Sequence, residues 1–235
     1  MNRYYDKDAD LNIIKSMKVA IIGWRGMVGS VLMERMRQEN DFQGYEVFFF
    51  STSQAGQEGP NIGGKVYELL DANDTSLLSD MDVILSCQGG SYTSSVYPAL
   101  RSNNLSGYWI DAASTLRMEA NSVIVLDPVN RAVIDKALAD GIKDYIGGNC
   151  TVSLMLMAIG GLFQEGYVEW LSSMTFQASS GARANNMREL VKQMSFIGQA
   201  GEEIMADPAS YILSLDHHVI ETMRSNAFPV EYFGI

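Results

Sequence analysis

Cysteine is scarce. Cys87 and Cys150 are the only two in 235 residues, which excludes the disulfide framework of small secreted domains. Histidine is equally rare: His217 and His218 stand side by side on an expected helix, point in different directions, read as solvated and cannot form a zinc pair. With no cysteine at ligand spacing from a histidine, no metal is expected. An excess of positive charge is also missing. Lys and Arg number 17 against 28 Asp and Glu, a net charge of -11, so the surface repels nucleic-acid backbones and anionic headgroups. Neither nucleic acid nor membrane is an expected partner, although a pair of arginines could still set the field of a small anion pocket. The longest apolar run, CTVSLMLMAIGGLF over 150–163, is shorter than the ~20 residues that cross a bilayer and reads as a buried core helix. The opening MNRYYDKDADLNIIKS has no apolar stretch or cleavage site of a secretory signal. It reads as a poorly ordered extension over 1–16, with Met17 as an alternative start, and the two free thiols point to a reducing cytoplasm.

What is present is globular. With 47% of residues hydrophobic and 19% charged, the chain can bury a core the size of one large domain or a domain and a half. From Met17 onward, the apolar run VAIIG gives way to a helical stretch over 27–37 and then to the β-rich YEVFFF over 45–50. This alternation predicts βαβ units and a parallel sheet, hence an α/β fold. Further strands are expected over 83–86, 108–110 and 123–126, and helices over 93–100 and 184–203. On the last of these, Met187, Leu190, Val191, Met194 and Ile197 keep helical spacing. A composition break at Gly147-Gly148-Asn149 sets the expected domain boundary, giving units over 17–148 and 149–235. In the second, a helix from Cys150 and a strand, WLSSMTFQA, are expected. That unit reads as incomplete, since the sequence stops in a glycine-containing turn at Phe233-Gly234-Ile235.

Gly23-Trp24-Arg25-Gly26-Met27-Val28-Gly29 follows the first strand at once and opens a helix. There, glycines let the pyrophosphate of a dinucleotide approach backbone N–H groups; the spacing GxxGxxG is a variant, and such turns also occur for packing alone. An NAD-binding unit would end its second strand on Asp or Glu, to hold the ribose 2′-hydroxyl. Here the strand runs into Ser51-Thr52-Ser53-Gln54, hydroxyls without an acid, which favours a 2′-phosphate and hence NADP. Ser86-Cys87-Gln88-Gly89-Gly90 ends another strand and reads equally as a ligand edge or a plain loop; Cys87 reads as an inert thiol. Gly147-Gly148-Asn149-Cys150 places a cysteine at a helix N-terminus, where dipole and amides favour a thiolate and could hold an acyl oxyanion. A buried structural cysteine is the equal alternative. Gln177, ahead of Ser179-Ser180-Gly181-Ala182, is either a ligand contact or a structural amide. Arg117, after Asp111-Ala112-Ala113-Ser114-Thr115-Leu116, offers a planar fork to a phosphate, though surface arginines are common.

Taken in order, GWRGMVGSVL, FFFSTSQAG, SCQGG, DAASTLRM, VLDPVN, GGNCTVSLMLMAIGGLF and NMREL resemble aspartate-semialdehyde dehydrogenase of the Gram-negative bacterial type, from Met17 to Gly234. The resemblance implies a Rossmann-type NADP-binding domain followed by an α+β catalytic and dimerisation domain, the latter incomplete. It implies reductive dephosphorylation of aspartyl 4-phosphate to aspartate 4-semialdehyde, on the way to lysine, diaminopimelate, threonine, methionine and isoleucine, in a cytoplasmic homodimer. Cys150 matches the nucleophile, Gln177 the substrate-orienting residue, Arg117 a phosphate ligand, and Asn149 a substrate-binding position. Arg25, Gly26, Met27, Val28, Thr52, Ser53, Gln88, Ser180, Gly181 and Pro208 match NADP-binding positions. Arg183 departs from the pattern, standing where the family has a glycine. The family's catalytic histidine, carboxylate-binding arginine and a phosphate-binding lysine fall beyond Ile235, and neither His217 nor His218 takes that role. The chain alone is therefore expected to be inactive, and an NADP-binding remnant is the alternative reading.

Overall fold

A computed structural model describes residues 10, 12–182 and 184–232. The chain divides into two compact units, Met1–Ser173 and Met174–Ile235.

The first unit is a doubly wound α/β sheet. Its strands are β1 (Lys18–Ile22), β2 (Glu46–Ser51), β3 (Glu58–Ile62), β4 (Lys65–Asp71), β5 (Val83–Ser86), β6 (Tyr108–Asp111), β7 (Ser122–Val125) and β8 (Asp144–Gly147). They lie in the order β3-β4-β2-β1-β5-β6-β8-β7, parallel throughout except for β3 against β4. β1 is covered on both faces, which is why its sequence KVAII is almost continuously apolar rather than alternating. The two-residue period of a strand still sorts its side chains. Ala20 and Ile22 join one core with Phe50, Leu78, Val96, Leu100 and Trp109. Val19 and Ile21 join the other with Met33, Met36, Phe49 and Leu69.

Helices cover both faces. Met33 and Met36 bring α1 (Met27–Gln38) onto the second core, while α2 (Thr75–Ser79) and α3 (Gly90–Ser102) bring Leu78, Val96 and Leu100 onto the first. α4 (Asp127–Ala139) packs beside β7 and against α5 (Cys150–Gln164). The chain winds outward from β1 towards β2 and β4 on one side and from β5 towards β6 and β8 on the other. The carboxyl ends of β1 and β5 thus form the switch point at which an open α/β sheet leaves a crevice.

Two expectations fail here. α5 is not a buried core helix: only Gly160 is buried, and Leu154 is 73% exposed. One face packs on Val129 of α4 and leaves Met155, Leu156 and Ile159 half-buried, while Val152, Leu154, Met157, Leu162 and Phe163 are exposed. WLSSMTFQA forms no strand. Strand structure needs a neighbour's hydrogen bonds, and none of the described residues supplies them, so Phe176 stands 97% exposed.

The second unit is helical: a short 3-10 turn (Ser179–Ala182), α6 (Ala184–Ala206) and α7 (Ile212–Arg224). α6 begins where expected and runs to Ala206, but its buried residues are Glu189, Gln193 and Gly201, whereas Met187, Val191 and Met194 of the apolar stripe are exposed. Glu189 accepts from the Tyr232 amide at 2.6 Å, and Gln193 donates to the Pro229 carbonyl at 2.9 Å. The segment after α7 therefore covers the polar side of α6.

Candidate active site

Three strands end in step, and a fourth runs one residue further. Ile22 of β1 pairs with Ser86 of β5, Ser86 with Asp111 of β6, and Asp111 with Ile146 of β8. The next positions along them, Gly23, Cys87, Ala112 and Gly147, therefore lie along one edge, the first three outside the strands and Gly147 as the last residue of β8, paired with Val125. With strands about 4.8 Å apart, the edge from β1 to β8 spans roughly 14 Å.

At the β1 end, Gly23 has φ +77°, and a Cβ there would meet the backbone of Cys87 and Gln88 at 2.6 Å. Only glycine allows this close approach in this conformation. The Gly26 amide donates back to the Gly23 carbonyl at 3.0 Å, and Gly26 caps α1 without a side chain. A Cβ on Gly29 would strike the Gly23 carbonyl oxygen, so the helix lies tight on the turn. A helix start provides no intrahelical acceptor for its first amides, and here those belong to Met27 and Val28. The turn thus forms a cradle of backbone donors that fits a pyrophosphate.

The neighbouring loops are tied to it by side chains. Arg25 lies over the Trp24 ring, 5.1 Å from its centre, and its guanidinium donates to the Gln54 side-chain carbonyl. The buried Ser51 hydroxyl accepts from the amides of Ser53 (3.4 Å) and Gln54 (3.1 Å), while Gln88 donates to the Thr52 hydroxyl at 3.3 Å. No acid occurs between Ser51 and Gln57. Asp71, at the end of β4, is engaged in its own turn by the Asn73 amide at 2.9 Å.

At the β8 end, Gly147 and Gly148 lead to Asn149, whose side chain accepts from the Val152 amide at 3.0 Å and so caps α5. Cys150 is the first helical residue and is exposed, its sulfur 3.9 Å from the Thr151 hydroxyl. Arg117, half-buried, donates from Nε to the Gly147 carbonyl at 2.9 Å. The sequence-predicted Arg117, Asn149 and Cys150 are thus brought to one turn. Cys87, unlike the exposed Cys150, is partly buried; that burial, with the nearby charge of Asp111, pushes the Cys87 thiol up to about 11.

Gln177, Ser180, Gly181 and Pro208 belong to the second unit. Gln177 is exposed ahead of the 3-10 turn, its side chain lying against Gly181, where a Cβ would collide with it. Pro208 is exposed just after α6, and Arg183 lies outside the described residues. On α7, His217 is exposed and His218 half-buried. Sequence reasoning missed Gln54 as the partner of Arg25. It also missed Asp111, 1% exposed, as the anchor of the loop that carries Arg117.

Residues 18–137 match the family model described as "Semialdehyde dehydrogenase, NAD binding domain". The chain belongs to the semialdehyde dehydrogenase family. That domain binds a nicotinamide nucleotide, and the matched segment contains the cradle, the Arg25–Gln54 contact and Arg117. Among solved structures, the chain is similar to aspartate semialdehyde dehydrogenase from Francisella tularensis, with 46% identity and a TM-score of 0.83 over 91% of this chain and 57% of that one. A Vibrio cholerae aspartate semialdehyde dehydrogenase II complexed with ASA shares the fold at 23% identity and a TM-score of 0.65, covering 78% of this chain and 53% of that one. The chain thus spans little more than half the length of these relatives. Family membership and the Rossmann-type α/β architecture agree with the sequence reading.

Proposed function

We propose that the chain carries the NADP-binding and thioester-forming part of an aspartate-semialdehyde dehydrogenase, acting on aspartyl 4-phosphate. The observation that carries this reading is the exposed Cys150 at the first position of α5, on the same sheet edge as the glycine cradle and next to Arg117.

The chemistry follows from that arrangement. The thiolate of Cys150 attacks the acyl carbon of the acyl phosphate, a carbon–sulfur bond forms, and the bond to phosphate breaks. The amides of Cys150 and Thr151 at the first positions of α5 face the oxyanion, a donor contribution worth about 3 kcal/mol each in comparable sites, while that of Val152 is held by Asn149. Arg117 is anchored through Nε, which leaves its terminal nitrogens to hold the departing phosphate. Asn149 fixes the helix start that presents the sulfur, and Gln177 orients the substrate. Arg25, Gly26, Met27, Val28, Thr52, Ser53, Gln88, Ser180, Gly181 and Pro208 hold the cofactor, with Arg25 and the hydroxyls of Thr52 and Ser53 on its 2′-phosphate. NADPH, when bound there, would supply the hydride; breaking of the carbon–sulfur bond would then release the aldehyde and return the Cys150 thiolate.

Trapping tests this. The chain is incubated with aspartyl 4-phosphate, digested, and searched by mass spectrometry for an aspartyl adduct removable by hydroxylamine. The adduct is expected on Cys150 and absent from Cys150→Ser. Its absence from the unsubstituted chain, or its appearance on Cys87, would overturn the assignment.

A further inference from the structure

We infer that Asp111 is a positioning residue for the phosphate subsite: its buried carboxylate sets the loop that delivers Arg117 to the Cys150 turn. The inference rests on the reading of Arg117 as the phosphate ligand. Asp111 ends β6 at 1% exposure, and a carboxylate in that setting needs its oxygens filled by donors. Three donors reach it. The Thr93 hydroxyl of α3 donates at 2.6 Å and the Trp109 indole N–H at 3.4 Å to one oxygen, and the Ala113 amide donates at 2.8 Å to the other.

The third bond turns the chain out of the sheet two residues after the strand ends. The exit is held further by the Ala112 amide on the Ser86 carbonyl at 3.0 Å and by the Thr115 hydroxyl on the Gly90 carbonyl at 3.3 Å. The loop closes on itself through the Arg117 amide to the Ser114 carbonyl at 3.1 Å, and Arg117 Nε then meets Gly147. Gly147 in turn lies over the Asp111–Ala112 backbone, where a Cβ would come within 3.6 Å. One carboxylate therefore joins α3, β6 and the Arg117 loop, and the loop passes that placement to the carbonyl three residues before the nucleophile. Without the Ala113 acceptor, the terminal nitrogens of Arg117 lose their fixed bearing on a phosphate beside Cys150. The cradle at β1 depends on none of these bonds.

The probe is inorganic phosphate, read as protection of Cys150 against iodoacetamide, with NADP affinity and thermal melting measured on the same proteins. Phosphate is expected to slow labelling of the unsubstituted chain, and Arg117→Ala to abolish that protection. Asp111→Ala is expected to raise the half-protecting phosphate concentration about tenfold, the scale of one lost charge-assisted hydrogen bond, with NADP affinity unchanged. Asp111→Asn keeps an oxygen for the Ala113 amide and a group the Thr93 hydroxyl can meet, so it is expected to stay within about threefold. If Asp111→Ala fails to melt cooperatively, Thr93→Val carries the test, with a shift of about threefold at unchanged NADP affinity. Protection of the unsubstituted chain that both variants leave untouched overturns the inference alone, as does an equal loss of NADP binding. No protection in the unsubstituted chain overturns the phosphate reading and this inference with it.

Discussion

Gly23→Ala is the sharpest single perturbation of the cradle, because two separate costs meet at one atom. The first is conformational: at φ +77°, an L side chain costs about 1–2 kcal/mol. The second is steric: the new Cβ would lie 2.6 Å from backbone atoms of Cys87 and Gln88, which cannot rotate away as a side chain would. Overpacking of this kind costs typically 1–3 kcal/mol. The sum, about 2–5 kcal/mol, is a large share of the 5–15 kcal/mol that typically holds a domain folded. Gly56→Ala separates the two, since Gly56 has φ +79° but open space around its Cβ position. It should cost only about 1–2 kcal/mol. Urea unfolding followed by tryptophan fluorescence gives both values, provided the slopes agree. NADP titration adds the functional half: Gly23→Ala should lose affinity and Gly56→Ala should keep it. Equal destabilisation by the two substitutions would show that the turn does not press on the end of β5, and the close-approach argument would fall.

Calorimetry should find NADP(H) bound at least tenfold more tightly than NAD(H), the worth of one charge-assisted bond from Arg25 to a 2′-phosphate. Equal affinities would remove the argument from the acid-free loop after β2. Limited iodoacetamide treatment at neutral pH should label Cys150 well before Cys87, since Cys150 is exposed and the Cys87 thiol is raised to about 11; preferential labelling of Cys87 in folded protein would contradict it. Because the folded value of Cys87 lies above its ordinary value of 9.0, its contribution to stability is intact below about pH 9 and fades as pH rises towards about 11, roughly 2–3 kcal/mol in all. Urea midpoints should therefore fall over that window, and Cys87→Ala should flatten the decline; an unchanged slope in the variant would count against it.

The Rossmann-type unit was legible because several local signals agree over a short stretch. An apolar run, a glycine turn and a helix pattern all demand the same strand–turn–helix, and β1, α1, β2 and β5 appear within a residue or so of expectation. The β3–β4 hairpin was not legible. EGPNI contains Gly, Pro and Asn and reads as loop, and it becomes a strand only because an edge position tolerates a proline and β4 supplies a partner. The reverse error occurred at WLSSMTFQA, where β-rich composition carried no information about a neighbour. Periodicity located α6 but misjudged its buried face, since burial of Glu189 and Gln193 depends on the Tyr232 amide and the Pro229 carbonyl, more than thirty residues away.

The site divides along the same line. Cys150 was legible because the Gly-Gly-Asn-Cys run contains its own geometry: the glycines make the turn, Asn149 caps the helix, and the next residue must be the first of α5. Asp111 was visible as a residue and silent in its role. A carboxylate at a strand end is ordinarily solvated, and what makes this one an anchor is Thr93, eighteen positions earlier on a different element. Register alone puts them together, because β5 and β6 end in step and α3 returns over that edge. A cysteine at a helix start can be found where the local chain dictates the exposure of one atom. The carboxylate that anchors the Arg117 loop beside that turn becomes visible only once strand order is known, so sequence alone marks the exposed cysteine and leaves the anchor of the neighbouring loop undetected.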